Sequence, residues 1–375
     1  MTPLALDTAA EPSAATAMPE LIARLRRLAA AALPRMYSDA AGRYVFTVRR
    51  AGGGLVPDGI SNRYSAITLI GLAADGFDRW RLPYDPATLA RTLMSELPAC
   101  GNLGDAALIA WAASAIGVDT APAWREVRRL FEARASHPTV EVSWALAAAT
   151  LDVGRAGADL QRRLSESVLT AWNPETGIFR HATGTRTSRA YVACYADQVY
   201  PIFALSRYAA ASRPAGPALE AAASCATRIC RLQGDAGQWY WHYDPRTGDV
   251  VEGYPVYAIH QDAMGPMALR AIKDAGGGNF DGEIDRGLGW LEHAPELGGG
   301  SLIDDEAGML WRKVARREPM KLTRFVQAAC TRVHSGLRAP GMDALFPPVA
   351  IDYEDRPYHW GWFLYAWAAS QDPRA

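Results

Sequence analysis

Six segments of this chain are apolar on nearly every side of a helix: 64–74, 106–116, 142–151, 199–210, 263–272 and 361–369. A helix without a polar face has to be covered all round. None of these segments, nor any other stretch, gives the roughly 18 uninterrupted apolar residues of a membrane span, so the cover must come from the chain itself. The segments between them supply it. Residues 21–33, 122–135, 160–172, 217–232 and 281–293 carry charge on one face and apolar residues on the other, as helices with one side in water do. Residues 86–97 and 322–337 are also helical in pattern. Buried and half-exposed helices in alternation imply two concentric layers. The expectation is an all-α fold, a single (α/α)6 toroid: a barrel of about six helical hairpins with the apolar helices inside. Residues 1–17, rich in Ala, Pro, Ser and Thr, are expected to form a flexible tail. With no interdomain linker visible, 18–375 is expected to be one domain.

The charge balance is close to zero, 39 Lys+Arg against 40 Asp+Glu. That argues against a general binder of nucleic acid or anionic membranes, both of which need clustered positive charge. The five cysteines form no CxxC pair, so reduced thiols in a cytoplasmic protein are expected. The start has neither a basic n-region nor an apolar run, so no secretory signal is expected. No dinucleotide fingerprint, P-loop, nucleophile elbow or HExxH occurs, and neither a cofactor nor a metal is expected.

Polar clusters open the apolar helices: Ser61-Asn62-Arg63-Tyr64, Asn102 with Asp105, Glu141, Asp197-Gln198, His260-Gln261-Asp262 and His359-Trp360. If alternate helices run parallel, these starts converge at one mouth, where six positive helix ends would favour an anionic group. Ser61 reads as an N-cap and Gly76 as a stop. Short β-hairpins are expected at 43–50, 178–195, 238–258 (turning at DPRTGD) and 301–314 (turning at DDEAG), as inserts on the mouth side, where loops carry function.

The stretch RICRLQGDAGQWYW, Arg228 to Trp241, resembles the QW repeat of terpenoid cyclases and protein prenyltransferases through Gln233, Gly237 and Trp239. The resemblance implies an α/α toroid in which the Gln and Trp tie one helix end to the next helix start. The catalytic motifs of those families do not follow. Ile303-Asp304-Asp305-Glu306 lacks the first Asp of a D-x-D-D acid, and neither a D-x-C motif nor a Cys-His pair occurs. In architecture and mouth chemistry the chain also resembles six-hairpin glycosidases, uronyl hydrolases, polysaccharide lyases and sugar epimerases.

Asp197 and Asp262 each precede a proline by four residues, DQVYP and DAMGP. Equivalent places in neighbouring hairpins would bring both carboxyls to one depth, where they could divide acid and base roles. His260 is the proton-shuttle candidate. Expected substrate contacts are Arg63, Tyr64, Asn102, Asp105, Glu141, Gln198, Trp241, Glu252, Tyr254, Tyr257, Gln261, His359 and Trp360. Residues 239, 241 and 243 would share one strand face, and Arg312 is a further candidate for anion binding. Asp304, Asp305 and Glu306 could hold a hard cation, although acidic turn residues are usually just solvated. The reading is a carbohydrate-active hydrolase, lyase or epimerase acting on a small-molecule or oligosaccharide substrate, with no nucleic acid and no membrane span. The alternatives are a terpenoid cyclase-like or prenyl-binding toroid, and a non-catalytic glycan- or protein-binding toroid. Oligomeric state is open.

Overall fold

The computed structural model describes residues 14–184, 189, 191–212, 216–319 and 321–368. Up to residue 13 the expected tail lies outside the described residues; the first helix runs from Ala14.

The apolar segments form the inner ring: α2 (Asn62–Asp75), α4 (Leu103–Ile116), α6 (Thr139–Leu151), α8 (Ala196–Ala211), α10 (Gly265–Asp274) and α12 (Pro357–Ala366). Each packs on the next, and α12 returns to α2 to close the circle. The outer layer is α1 (Ala14–Arg35), α3 (Pro86–Ser95), α5 (Ala121–Glu132), α7 (Ala158–Leu169), α9 (Gly216–Arg231) and α11 (Asp281–Glu292). The fold is an (α/α)6 toroid. Among the described residues no helix is long and apolar enough to cross a membrane.

Sequence explains where the inner helices start. Ser61 Oγ accepts from Tyr64 N at 3.2 Å, and Asn102 Oδ1 accepts from Asp105 N at 2.9 Å, each satisfying an N–H that the helix leaves unpaired. Buried Asp75 and half-buried Asp152 end two inner helices, where the dipole disfavours a carboxylate. Donors from the outer layer offset this: Arg26 and Trp80 Nε1 on Asp75, Trp124 Nε1 and Thr120 on Asp152. The ring closes through two glycines. A Cβ on Gly71 would lie 2.0 Å from the Gly361 carbonyl oxygen, and one on Gly361 would lie 2.6 Å from that of Ile67, so α2 and α12 touch backbone to backbone.

Gln233 links the end of α9 to the start of α11. Its Nε2 donates to Gly237 O and to Glu283 O at the start of α11. Gly237 has φ +96°, and a Cβ there would lie 2.1 Å from Arg286 O. Trp239 is fully buried and packs over Gly287.

The inserts differ from expectation in their pairing. The first hairpin is 47–51 with 54–58, while 43–44 pairs back to 37–38. Part of the hairpin expected at 178–195 (185–188 and 190) lies outside the described residues; its strand 193–194 pairs with 242–243 of the next insert, which turns through DPRTGD to 250–252. Strand 256–257 joins 313–315 and 350–352, and 354–355 joins the first hairpin. Two hairpins form at their expected turns, 242–243 with 250–252 across DPRTGD and 303–304 with 309–310 across the acidic turn. Inserts from separate hairpins thus pair into small two- and three-stranded sheets. The acidic turn of that hairpin is held by arginines, Asp304 by Arg50 and Asp305 by Arg24.

Candidate functional site

On one side of the mouth, α2, α4 and α6 bring five of the expected residues together. Arg63 is bonded to Asp105, and its guanidinium lies 5.4 Å from the Trp144 ring. Asn102 Nδ2 donates to Glu141 at 2.7 Å. The Tyr64 ring stacks between Phe46 and Tyr358, at 5.2 and 4.5 Å, and its hydroxyl accepts from Arg356 at 3.1 Å. A cavity of about 490 Å³ opens over Arg43, Phe46, Ser61, Arg63, Tyr64 and Asp105.

The facing sector holds two carboxylate–imidazole pairs. Asp197 and Asp262 are both fully buried. Asp197 accepts from Cys194 N at 2.7 Å and faces His181 Nδ1 at 3.1 and 3.2 Å. His181 keeps about a quarter of its side chain in solvent. Arg189 Nη1 stands 3.4 Å from His181 Nε2. An arginine can only donate, so Nε2 accepts and Nδ1 carries the proton toward Asp197. Asp262 faces His359 Nε2 at 2.8 and 3.0 Å. Burial works against protonation of His359, but Asp262 outweighs it, and the imidazole titrates above its ordinary value. Both carboxylates therefore address histidines rather than the open cavity.

The equivalence drawn from DQVYP and DAMGP is corrected here. Gln198 clamps the Phe179 peptide, accepting from its N and donating to its O at 2.8 and 3.0 Å, and donates to Cys194 O. Gln261 does the same to the Trp239 peptide and to Tyr257 O. Since each glutamine also bonds the carbonyl four residues back, Gln198 matches Gln261, and Asp197 matches His260. A π-turn at His260–Met264 inserts residues and carries Asp262 round toward α12, a distortion common at functional sites.

His260 is packed among Trp241 (5.3 Å, stacked), Tyr195 (4.4 Å) and Tyr257 (5.1 Å). Its burial lowers its pKa to about 3. The unfolded chain takes up that proton near pH 6.5 and the folded one only near 3. The associated stability is present above pH 6.5 and is lost as pH falls, at about 1.4 kcal/mol per pH unit. His260→Phe is therefore expected to lose about 2 kcal/mol less than the wild type between pH 7 and 5. Urea unfolding at the two pH values checks this; equal losses would contradict the assignment.

Several expected contacts lie elsewhere. Gln198 and Gln261 are spent on backbone. Trp360 is fully buried and donates to Asp355. Glu252 forms a buried pair with Arg316 at 2.8 Å, and Tyr254 donates to Glu296 at 2.7 Å; both line a second cavity of about 560 Å³ with Gln327 and Arg338. Arg312 is paired with Glu354 at 3.2 Å and lies over Tyr257. The alternation expected for 239–243 fails because only 242–243 is strand: Trp239 and Tyr243 are buried, while Trp241 turns to His260. His181 and Arg189 were missed. The available signal was the scarcity of histidine, for four of the seven in the chain (181, 242, 260 and 359) lie in the mouth sector.

No family model matches the sequence, and no curated protein matches it. Solved structures do. A possible member of the GH105 family from Klebsiella pneumoniae is 10% identical, with 99% of this chain and 98% of that one covered and a TM-score of 0.57. A sugar epimerase from a ruminal bacterium is 12% identical over 93% and 98%, TM-score 0.57. An unsaturated glucuronyl hydrolase from Bacillus sp. GL1 is 13% identical over 94% and 96%, TM-score 0.57. At these identities the likeness concerns the fold, the same α/α toroid.

Proposed function

We propose that the protein is a carbohydrate-active enzyme that moves a proton on an open-chain sugar, as an epimerase or isomerase does. The observation that carries the reading is the pair of carboxylate-backed imidazoles, His181 on Asp197 and His359 on Asp262, in the mouth sector. An imidazole works near neutral pH as either acid or base. His181, when the substrate displaces Arg189 from its Nε2 lone pair, takes the proton from the carbon beside the sugar carbonyl. His359, whose affinity for a proton Asp262 raises, supplies one to the other face or to the neighbouring carbon. One ring ends charged and the other neutral, and solvent restores both. Arg63, Asn102 and Glu141 offer hydroxyl contacts, and Trp241 and the Tyr64–Tyr358 stack offer flat apolar faces for a sugar ring.

Hydrolysis by a carboxyl pair is less well supported, because it needs two carboxyls presented across the glycosidic bond, and Asp197 and Asp262 are sealed behind histidines. A terpenoid reading calls for an open aromatic cavity. Here Trp111, Phe203 and Trp362 are packed on one another and closed to solvent. That the named structural neighbours include a sugar epimerase and a glucuronyl hydrolase agrees with a sugar substrate. NMR of a panel of reducing mono- and disaccharides incubated with the protein is expected to show a new epimer or ketose for at least one. Release of shorter sugars without isomerisation would replace this reading with hydrolysis.

A further inference from the structure

The helix Leu322–Val333 packs on the mouth strand 250–252 with its polarity reversed. Its inward face is Thr323, Gln327 and Thr331, exposed by 0%, 7% and 0%. Its outward face is Leu322, Phe325, Ala329 and Val333, at helical spacing; Phe325 is 66% and Val333 82% exposed. The chain that follows adds exposed Leu337 and Leu345. The reversal is fixed by bonds. Gln327 exchanges two hydrogen bonds with Ala339, Arg246 donates to Thr331 O, and Arg338 donates to Val250 O. The polar side is therefore committed to the rim, and the apolar stripe stands outward in solvent.

Charge indicates what meets it. Residues 316–349 contain six Lys and Arg against two acids. Both acids are engaged, Glu318 on Thr323 N and Asp343 on Arg316, while Arg317, Lys321 and Arg332 are exposed. The near-zero net charge of the whole chain hides this local excess. An apolar stripe of Leu, Phe and Val rimmed by Lys and Arg is the pattern of a helix lying in a lipid–water interface. A second copy of the chain would bring two basic rims together.

We propose that this helix docks the mouth side of the protein onto an anionic lipid surface, with Phe325 and Val333 entering the acyl boundary and Lys321 and Arg332 at the headgroups. Flotation of the full chain with phosphatidylcholine vesicles, with and without about one-third phosphatidylglycerol, tests it. Recovery on anionic vesicles is expected to exceed that on neutral ones by about tenfold and to fall with added salt. Phe325→Asp with Val333→Asp is expected to abolish it at unchanged Tm. Lys321→Glu with Arg332→Glu, which leaves the apolar stripe intact, is expected to remove the preference for anionic lipid. Absence of vesicle binding, or equal binding by both double variants and the wild type, would overturn the proposal. So would a solution dimer that Phe325→Asp with Val333→Asp dissociates, which would assign the stripe to a second copy.

Discussion

His181→Ala is expected to lower kcat on the substrate found by the sugar panel by about a thousandfold, within the range for loss of a general base, with KM changed far less. The ring sits between a buried carboxylate and the mouth, bonded through Nδ1 to Asp197 and open to solvent on about a quarter of its side chain. Asp197 acts through the histidine, so it is a positioning residue. Asp197→Asn would remove the carboxylate charge and leave one acceptor oxygen for Cys194 N and His181 Nδ1 to share, with an expected loss of about a hundredfold. Imidazole in solution separates the two roles: it should restore part of the activity of His181→Ala, whose site has room for it, and none of that of Asp197→Asn. Asp262→Asn removes the charge that raises the proton affinity of His359 and should weaken turnover similarly. Full activity in both asparagine variants would remove these aspartates from the mechanism.

Gly71→Ala is expected to give the largest loss of stability, about 3 kcal/mol, the upper part of the usual range for overpacking. The new methyl group would lie 2.0 Å from the Gly361 carbonyl oxygen, and backbone cannot swing aside as a side chain can. α2 carries Arg63 and Tyr64, and α12 carries His359, so separating them would also loosen the mouth. Gly282→Ala is a control: it lies in α11 with nothing within 4 Å of its added Cβ and should be neutral or slightly stabilising. Chemical unfolding of the two variants measures the contrast; equal stabilities would mean that α2 and α12 do not close the ring by backbone contact.

The layered architecture was legible because it follows from burial. Helices such as Leu103–Ile116 have no polar face, and only a second layer can cover them. Local chemistry marked their starts, with Ser61 and Asn102 as caps. The rim was less legible because its pairings are non-local: strand 193–194 finds its partner at 242–243, and nothing within 178–195 records that. The Arg63–Asp105 and Asn102–Glu141 side of the site was visible as polar residues opening apolar helices. The opposite side was obscured twice. The π-turn at His260–Met264 breaks the equivalence implied by the shared spacing of DQVYP and DAMGP. His181 lies in an insert, where no periodicity marks a side chain as facing the mouth.

The most direct measurement is solvent deuterium exchange, followed by NMR, on the sugar that the protein turns over. Proton transfer through His181 and His359 predicts deuterium from D₂O at the carbon beside the carbonyl, abolished by His181→Ala. Turnover with every carbon-bound proton retained, and deuterium confined to exchangeable hydroxyls, would contradict it.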